Sequence, residues 1–350
     1  MEAVVWEGRE RVAVADVPEP ELPGVHGAIV RVSAASICGS DLHLFHETVP
    51  VVPGTILGHE AVGVVEAVGS QVSRVRPGDR VLIPAVIGCG SCPACRAGYP
   101  VGCTTLAVKV FGVSPFLPGT QAEKVAVPYA DFNLWPLPAE MEDGDALLLT
   151  DIYPTGLYAA ENASIAPGDV VLVIGCGPVG LCAIQCAQLF GPSVIAALDP
   201  IEERRCWAQR FGATVFATAA EATSYLGEIT GGRGANAVIE AVGSEATLHL
   251  AMDAVSTGGR VSMVGVLVRS DVSFPLGSAF LKDISFRVGL VNVPRYLGRL
   301  EALVRHGRLQ PRTMLTHSFS LAEAPLAYRT FDRKLGGCLK VCLRPARWCC

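Results

Sequence analysis

Four cysteines lie within fifteen residues of one another, in a loop rich in glycine and proline: Cys89, Cys92, Cys95 and Cys103. Four thiolates can close a tetrahedral zinc site without leaving an open coordination position, so the role of such a site is structural. An iron–sulfur cluster uses the same ligand type, and unliganded or redox-active thiols are a further alternative. Because soft thiolate ligands favour zinc, the spacing predicts a structural zinc site.

A second group of candidate metal ligands is spread over two short segments. Residues 38–43 (CGSDLH) offer a thiolate, a carboxylate and an imidazole, and residues 58–60 (GHE) add another imidazole and another carboxylate. Each segment alone is a weak signal, because an isolated histidine is more often a satisfied structural residue than a ligand. The two segments become informative only together with the other motifs.

A glycine-rich turn, Gly175-Cys176-Gly177-Pro178-Val179-Gly180, directly follows the apolar run 170–174 and opens a helix-length segment. Gly175 permits a tight turn, Gly177 lets backbone amides approach a pyrophosphate, and Gly180 lets helix and strand pack closely. Pro178 suits a first helical turn, where its missing N–H is not needed, and the helix N-terminus faces the phosphates. The alternative is a glycine-rich turn with no ligand. The strand–turn–helix context favours a dinucleotide site.

An acidic residue, Asp199, ends the next apolar run, 24 positions after Gly175. An acid in this position hydrogen-bonds the adenosine ribose and repels a 2′-phosphate, which favours NAD over NADP. Arg204 and Arg205 follow closely and would soften that repulsion. The alternative for Asp199 is a cap on the helix that starts near Ile201. We predict NAD as the cofactor, with Asp199 and Arg204 among its contacts.

Two kinds of segment must position these residues. Before about residue 150, short apolar runs separated by Gly/Pro turns are typical of a barrel-like or irregular β domain. Between 170 and 290, about six strand-length runs alternate with helices of about 10–15 residues, which predicts a parallel, doubly wound sheet. From about residue 295, two helical segments and a last strand follow, and we expect them to return to the first domain.

Length and composition narrow the class of protein. The chain has 350 residues, and roughly 150 residues per domain gives a prior of two domains. Hydrophobic residues make up 50% and charged residues 17%, so intrinsic disorder is excluded. The net charge of −5 gives no general attraction to nucleic acid or to anionic membranes. We therefore expect a small-molecule substrate rather than a nucleic-acid or membrane partner.

A cytoplasmic location is expected. The N-terminal residues lack a basic segment followed by an apolar one, so a secretory signal is not predicted. Apolar runs are far shorter than the roughly 20 residues that span a bilayer. The sequence contains 13 cysteines, an odd number, and thiols stay reduced in the cytosol. Closely spaced cysteines there indicate metal binding or catalysis rather than disulfides.

In combination, the motifs resemble the zinc-dependent medium-chain dehydrogenase/reductase family, the alcohol dehydrogenases. The resemblance runs essentially end to end and includes residues 58–65 (GHEAVGVV) and 77–81 (PGDRV). It implies an α/β chain in which a GroES-like, β-rich catalytic domain spans 1–150 and is completed by 296–350. A doubly wound Rossmann cofactor domain is implied at 151–295. The resemblance also implies a homodimer or homotetramer, associated through the sheet edge of the cofactor domain.

The resemblance implies a second, catalytic zinc. Cys38 and His59 match two of its ligands, and Glu60 matches an adjacent acid that ligates when a water or substrate leaves. The third ligand position matches Asp151, where the usual pattern has a cysteine. An aspartate there is similar to the branch of formaldehyde dehydrogenases and certain microbial secondary-alcohol dehydrogenases. It preserves the charge, and its harder oxygen leaves zinc slightly more electrophilic. The alternative is that Asp151 only caps the helix before Thr155.

The activity implied by the resemblance is hydride transfer between an alcohol and NAD, with an aldehyde or ketone as the oxidised form. Ser40 matches the hydroxyl that contacts the reacting oxygen, and His43 matches the distal base, with a cofactor ribose hydroxyl bridging them. An unperturbed histidine has a pKa of roughly 6.5, which suits proton exchange near neutral pH.

Further cofactor contacts also follow from the resemblance. They lie near Val242, Val264, Val266, Leu290 and Asn292, whose backbone would flank the adenosine and nicotinamide. Lys340 lies where the family commonly has a basic pyrophosphate contact. The alternative for Lys340 is a solvated lysine on a strand.

Other functions fit parts of this pattern. Within enzymes, the alternatives are a formaldehyde dehydrogenase or dismutase and a polyol or amino-alcohol dehydrogenase. A non-catalytic, zinc-containing binding protein is the alternative from a different class. The acidic charge and the lack of a basic, aromatic-rich patch argue against a nucleic-acid-binding role for the cysteine loop.

Overall fold

The structure, a computed structural model, describes residues 1–269 and 271–345, and the chain divides into two units. The first unit comprises Met1–Asp151 and the chain from Asn292 onward, and the second comprises Ile152–Val291. Asp151 thus belongs to the first unit, although the expected boundary placed it in the second. The first unit is discontinuous in sequence, whereas the second is one continuous stretch.

The strands of the described residues are β1 Glu2–Gly8, β2 Arg11–Asp16, β3 Ala28–Ile37, β4 Ala61–Val68, β5 Arg80–Ile83, β6 Lys124–Val127, β7 Trp135–Pro136, β8 Val170–Ile174, β9 Val194–Leu198, β10 Thr214–Phe216, β11 Ala235–Glu240, β12 Val255–Met263, β13 Ser285–Val288, β14 His317–Ser320 and β15 Val341–Arg344.

The α-helices of the described residues are α1 Asp41–Phe45, α2 Pro93–Arg96, α3 Ala130–Asn133, α4 Asp143–Leu148, α5 Ile152–Asn162, α6 Pro178–Gln188, α7 Glu202–Arg210, α8 Ala219–Thr230, α9 Glu245–Ala254, α10 Leu276–Leu281, α11 Val293–Arg305 and α12 Ala324–Asp332. Short 3-10 helices lie at Pro100–Gly102, Pro311–Met314, Leu321–Glu323 and Leu335–Gly337.

The first unit contains a seven-stranded sheet, with the order β14-β15-β3-β4-β5-β7 and with β6 also paired to β3, and a two-stranded sheet of β1 and β2. The long strand β3 is antiparallel to β4, β6 and β15. Its apolar side chains are buried, and Val30 and Val32 pack in one core cluster with Ile83 and Phe111. The metal-binding candidates lie at the ends of this framework, since residue 38 follows β3 and residues 59 and 60 precede β4.

The second unit contains a six-stranded sheet in the order β10-β9-β8-β11-β12-β13. Every neighbouring pair is parallel, and helices α6 to α10 lie between successive strands. This order reverses between β8 and β11, which is where such sheets bind dinucleotides, outside the carboxyl ends of the strands. The prediction of a doubly wound sheet of about six strands is confirmed.

Among the helices of the described residues, none combines the length and apolar character that crossing a membrane requires.

Candidate active site

We refer to residues 88–105, in the loop after β5 of the first unit, as the cysteine lobe, and its four cysteines converge. All are buried, and their sulfur atoms lie within 4.8 Å of one another. A tetrahedral zinc with Zn–S distances of about 2.3 Å would hold sulfurs at comparable separations. This donor set therefore fits a zinc ion with four thiolate ligands.

Hydrogen bonds to sulfur favour the thiolate form of Cys89, whereas burial raises the pKa of Cys95 to about 12. The amide of Cys92 and the Thr105 hydroxyl each donate to Cys89 Sγ at 3.3 Å, and Ser91 Oγ does so at 3.4 Å. Burial raises the pKa of Cys89, but these hydrogen bonds outweigh it and lower the pKa to about 5. The thiolate is the form that binds metal.

Asn133 anchors the start of the cysteine lobe, and sequence reasoning missed it. Its side-chain oxygen accepts the Gly88 amide at 3.0 Å, and its Nδ2 donates to the Gly88 carbonyl at 2.8 Å. Nothing in the sequence around Asn133 signals this contact with a loop 45 residues away.

The second set of candidate ligands also converges, and we refer to Cys38, His59, Glu60 and Asp151 as the metal cluster. One ligand atom from each lies within 4.8 Å of the others. Strands β3 and β4 are antiparallel neighbours, so the end of one and the start of the other bring Cys38 beside His59. Asp151 Oδ2 lies 3.7 Å from Cys38 Sγ and 3.7 Å from His59 Nε2. A thiolate, an imidazole and carboxylates at this spacing fit a zinc ion.

The structure also agrees in part with the alternative that Asp151 caps a helix. Helix α5 begins at Ile152, so Asp151 stands directly before its first residue, as a helix cap would. Its carboxylate nonetheless contacts Cys38 and His59. Asp151 can therefore stand directly before α5 and still belong to the metal cluster.

A buried chain of polar groups holds His59, and of its members only Asp41 was among the candidate ligands predicted from the sequence. Asp41 Oδ1 lies 3.3 Å from His59 Nδ1, and Asp41 Oδ2 accepts the Cys38 amide at 2.9 Å. Gln121 Nε2 donates to Asp41 Oδ2 at 3.2 Å, and the Tyr328 hydroxyl donates to Gln121 Oε1 at 2.8 Å. A carboxylate on the far nitrogen of a ligating histidine fixes which nitrogen faces the metal.

The metal cluster attracts positive charge. Burial lowers the pKa of His59, but the Asp41 charge and the hydrogen bonds with Asp151 and Asp41 outweigh it and raise the pKa well above its ordinary value. Burial raises the pKa of the Cys38 thiol. The carboxylates that favour a protonated His59 would equally attract a divalent cation.

Lys340 is fully buried and pairs with Glu60. Its Nζ lies 2.6 Å and 2.8 Å from the two Glu60 oxygens and donates to the Ile37 carbonyl at 3.0 Å. Burial lowers the pKa of Lys340, but the negative charge of Glu60 outweighs it and raises the pKa. The interpretation of Lys340 as a solvated strand lysine is wrong, because its ammonium neutralises the acid beside His59. Its contact with a cofactor stays a prediction.

Ser40 and His43 lie at the start of α1. Ser40 Oγ is 3.2 Å from His59 Nε2, at the edge of the metal cluster, and His43 Nδ1 is 3.2 Å from Thr48 Oγ1. Burial, followed by the charge of His46, lowers the pKa of His43. The expectation of an unperturbed histidine is therefore wrong, and His43 stays neutral to lower pH than expected.

The glycine turn, residues 175–180, joins β8 to α6 in the second unit. A Cβ on Gly180 would lie 1.8 Å from the Gly175 carbonyl oxygen, so only glycine allows this approach of helix and strand. At Gly177 the nearest atoms to a built Cβ belong to the Arg204 guanidinium, at 3.8 Å, and α6 begins with Pro178. The helix N-terminus at Gly177, with the Arg204 guanidinium beside it, fits a pyrophosphate.

Asp199 lies beside the glycine turn, at the end of β9. Its Oδ2 accepts the Cys176 amide and its Oδ1 accepts the Ile201 amide, both at 2.8 Å. The second bond precedes α7, as the capping alternative requires, and the first ties the carboxylate to the glycine turn. Arg204 Nη1 lies 3.7 Å from Asp199 Oδ2, so a cation stands next to this acid.

The remaining candidate cofactor residues lie in different places. Val242 and Val264 follow the carboxyl ends of β11 and β12, and Val266 lies two residues further along. Leu290 is half-exposed in the second unit, whereas Asn292 belongs to the first. The Asn292 side chain donates from Nδ2 to the Gly98 carbonyl of the cysteine lobe at 2.9 Å.

Two protein-family models match the chain. The alcohol dehydrogenase GroES-like domain matches residues 24–139, and the zinc-binding dehydrogenase domain matches residues 178–302. The first contains Cys38, His59, Glu60 and all four cysteines of the cysteine lobe. The second begins inside the glycine turn, at Pro178.

Curated relatives cover almost the whole chain. A probable zinc-binding alcohol dehydrogenase of Mycobacterium tuberculosis is 41% identical over 99% of this chain and 89% of its own length. A glutathione-independent formaldehyde dehydrogenase of Bacillus subtilis is 31% identical over 95% of this chain and 94% of its own length.

Solved structures share the fold. The alcohol dehydrogenase TADH of Thermus sp. ATN1 has a TM-score of 0.92 at 45% identity and covers 99% of this chain and 100% of its own. A zinc-binding dehydrogenase of Sinorhizobium meliloti, bound to NADP, has a TM-score of 0.84 at 28% identity, with 98% and 99% covered. An Escherichia coli dehydrogenase complexed with NADH has a TM-score of 0.86 at 26% identity, with 98% and 99% covered.

Proposed function

Because the chain belongs to the zinc-type alcohol dehydrogenase family, we propose that it is an NAD-dependent oxidoreductase that interconverts a small alcohol and its aldehyde or ketone. The observation that carries this proposal is the metal cluster, in which Cys38, His59 and Asp151 converge with Glu60 at one point. A closed set of four cysteines in the same unit supports a second zinc with a structural role.

The proposed catalytic zinc would be held by Cys38, His59 and Asp151, with the Glu60 carboxylate beside them as a further candidate ligand. When bound, zinc would polarise the substrate oxygen, and the nicotinamide would exchange a hydride with the substrate carbon. Asp41 holds the far nitrogen of His59, so that Nε2 faces the metal cluster. Lys340 balances the charge of Glu60 in the same buried region.

Ser40 and His43 would move the proton. Ser40 Oγ lies at the edge of the metal cluster and can exchange a proton with a substrate hydroxyl there. Thr48 donates its own hydroxyl proton to the His43 carbonyl, so Thr48 Oγ1 accepts from His43 Nδ1. This assignment leaves the lone pair of His43 on Nε2, which is the form of a general base.

We propose NAD rather than NADP as the cofactor. The Asp199 carboxylate beside the glycine turn supports NAD, since it would repel a 2′-phosphate. The Arg204 guanidinium, 3.7 Å away, offsets part of that charge and supports measurable use of NADP. Relatives of the same fold were solved with either NADP or NADH.

The donor set of the metal cluster also bears on the class of substrate. Asp151 in the metal cluster supports the formaldehyde-dehydrogenase-like branch, and one relative carries that activity in its name. A formaldehyde dehydrogenase or dismutase is therefore the second candidate function.

Zinc content and a substrate panel test the proposal together. Two zinc ions per chain are expected, with NAD reduction by at least one member of a set of primary alcohols, secondary alcohols, polyols and formaldehyde. NADP would serve as the parallel cofactor, and release of methanol and formate together would identify a dismutase. Fewer than two zinc ions, or no hydride transfer with any alcohol, would contradict the proposal and favour a zinc-containing binding protein.

We also propose a cytoplasmic homodimer or homotetramer. The described cysteines of both units, Cys38 among them, form no disulfides. Reduced thiols fit the proposed cytoplasmic location. Strand β13 forms an edge of the six-stranded sheet, and Val288 on it is exposed, as are Leu276, Phe280 and Leu281 on α10. Exposed apolar groups beside an unpaired sheet edge favour association.

A further inference from the structure

Glu240 is a fully buried acid at the end of β11, and nothing in the proposed mechanism uses it. Glutamate is almost never fully buried unless it is paired. Its Oε1 accepts the amides of Val242 and Gly243 at 2.8 Å and 2.9 Å. Its Oε2 is buried and has no hydrogen-bond partner among the described residues. The side chain is therefore tied to the turn that follows its own strand.

The same residue is in contact with the segment after β12. The Glu240 carbonyl accepts the amides of Val264 and Gly265 at 2.8 Å and 3.1 Å. A Cβ on Gly265 would lie 2.6 Å from Glu240 Oε2 and 2.1 Å from the Gly243 amide nitrogen. The carboxyl group is thus packed between residues 241–243 and residues 264–266.

Residues 241–243, which Glu240 holds in place, also contact the glycine turn. The Ala241 amide donates to the Ile174 carbonyl at 2.9 Å, and a Cβ on Gly175 would lie 2.6 Å from Val242 Cγ2. A shift of residues 241–243 would therefore disturb the start of the glycine turn. These segments follow the carboxyl ends of β8, β11 and β12, and dinucleotides bind outside the carboxyl ends of such strands.

We propose that Glu240 is a positioning residue for the dinucleotide, and that its carboxyl group holds residues 241–243 in the shape that the cofactor requires. Glu240 acts through the two amides that it accepts and does not touch the cofactor. This inference rests on the proposed function, because it assumes that the glycine turn binds a nicotinamide dinucleotide.

Glu240 holds residues 241–243 through a side-chain oxygen that accepts hydrogen bonds, and this role does not require a negative charge. Burial raises the pKa of Glu240, and hydrogen bonding from the Gly243 amide, the Thr247 side chain and the Val242 amide offsets this only in part. Glutamine has the same length and keeps one carbonyl oxygen as an acceptor. Glu240→Gln should therefore preserve the turn, whereas Glu240→Ala removes the acceptor for both amides.

The matched control lies at the opposite end of the same strand. Asn236 Oδ1 accepts the Val170 amide at 2.8 Å, so this side chain also holds backbone, but at the amino end of the sheet. Asn236→Ala should lower thermal stability without changing cofactor binding. It separates a local positioning role from general destabilisation.

The experiment is a fluorescence titration of the zinc-loaded, full-length chain with NADH, alongside the thermal midpoint of each variant. Glu240→Ala should weaken NADH binding about tenfold, as expected for two lost hydrogen bonds, while Glu240→Gln binds as the wild type does. Should Glu240→Ala fail to fold, Glu240→Asp withdraws the oxygens by one carbon and is expected to weaken NADH binding in the same direction.

Three results would overturn the inference. They are unchanged NADH binding by Glu240→Ala, an equal loss of binding by Asn236→Ala, and a Glu240→Gln variant as weak as Glu240→Ala. A wild-type protein that binds neither NADH nor NADPH would instead refute the proposed function. The two failures are therefore distinguishable.

Discussion

Asp151 gives the metal cluster its distinctive donor set. Its Oδ2 lies 3.7 Å from both Cys38 Sγ and His59 Nε2, so one oxygen faces two candidate ligands at once. An oxygen ligand is harder than a thiolate but carries the same charge. The identity of residue 151 should therefore affect activity and metal retention separately.

Replacing Asp151 tests this role. Asp151→Ala should reduce zinc from two ions per chain to one and lower kcat/KM by more than the roughly 10–100-fold typical of partners that only orient a ligand. Asp151→Cys preserves the charge and should retain both zinc ions. Zinc analysis and steady-state kinetics provide the readouts. Asp16→Ala, at a largely exposed acid, is the control. Full activity of Asp151→Ala would exclude residue 151 from the site.

The lowered pKa of His43 predicts the pH dependence of alcohol oxidation. A base must be neutral, and a pKa below the ordinary value of roughly 6.5 keeps the imidazole neutral to lower pH. The acid limb of the kcat/KM profile should therefore lie below roughly pH 6.5. His43→Gln should remove this limb and slow oxidation at neutral pH by about 10²-fold.

His46 provides a control for this prediction. Its positive charge contributes to the low pKa of His43, so His46→Gln should move the acid limb to higher pH. An acid limb that does not move in His46→Gln, and persists in His43→Gln, would show that another group acts as the base.

The residues of the metal cluster were open to prediction, but the groups that hold them were not. Cys38 and His59 stand in short motifs whose types suggest a metal. Gln121 and Tyr328 carry no such signal, because Gln121 bonds Asp41 across 80 residues of sequence and Tyr328 bonds Gln121 across 207. Contacts of this kind depend on the tertiary fold.

At the scale of elements, apolar runs and glycine turns were enough to predict the alternating strands and helices of the second unit. The first unit was harder. The run Ala28–Val32 predicted the start of β3, but the strand continues to Ile37. Ser33 and Ser36 are polar, yet both are buried and donate to the carbonyls of Val62 and Val341. Partners on distant strands therefore decide where β3 ends.

The cysteine lobe contains only short helices, so we expect its fold to depend on metal. Cys103→Ser should remove one zinc ion per chain and lower the thermal midpoint by at least about 5 °C, because metal binding contributes to folding. Cys206→Ser, at an exposed cysteine, should change neither value. Metal analysis and calorimetry provide the measurements, and two remaining zinc ions in Cys103→Ser would contradict the assignment.

At the scale of the whole molecule, the exposed apolar surface of the second unit predicts self-association. It is formed by Leu276, Phe280, Leu281 and Val288, which are 69%, 83%, 81% and 61% exposed. Phe280→Asp would place a charge there and should reduce the mass measured by light scattering toward that of one chain. Phe116→Asp, at a residue 88% exposed in the first unit, is the control. An unchanged mass in Phe280→Asp would exclude this surface as the interface.

The buried pair between Glu60 and Lys340 has a consequence for synthesis of the protein. The two residues are 280 positions apart, and β15, directly after Lys340, pairs with β3. A nascent chain on the ribosome can therefore complete the continuous second unit before the first. Until residue 340 has emerged, Glu60 has no ammonium to neutralise it. Zinc loading at the metal cluster is thus expected to follow the emergence of residue 340.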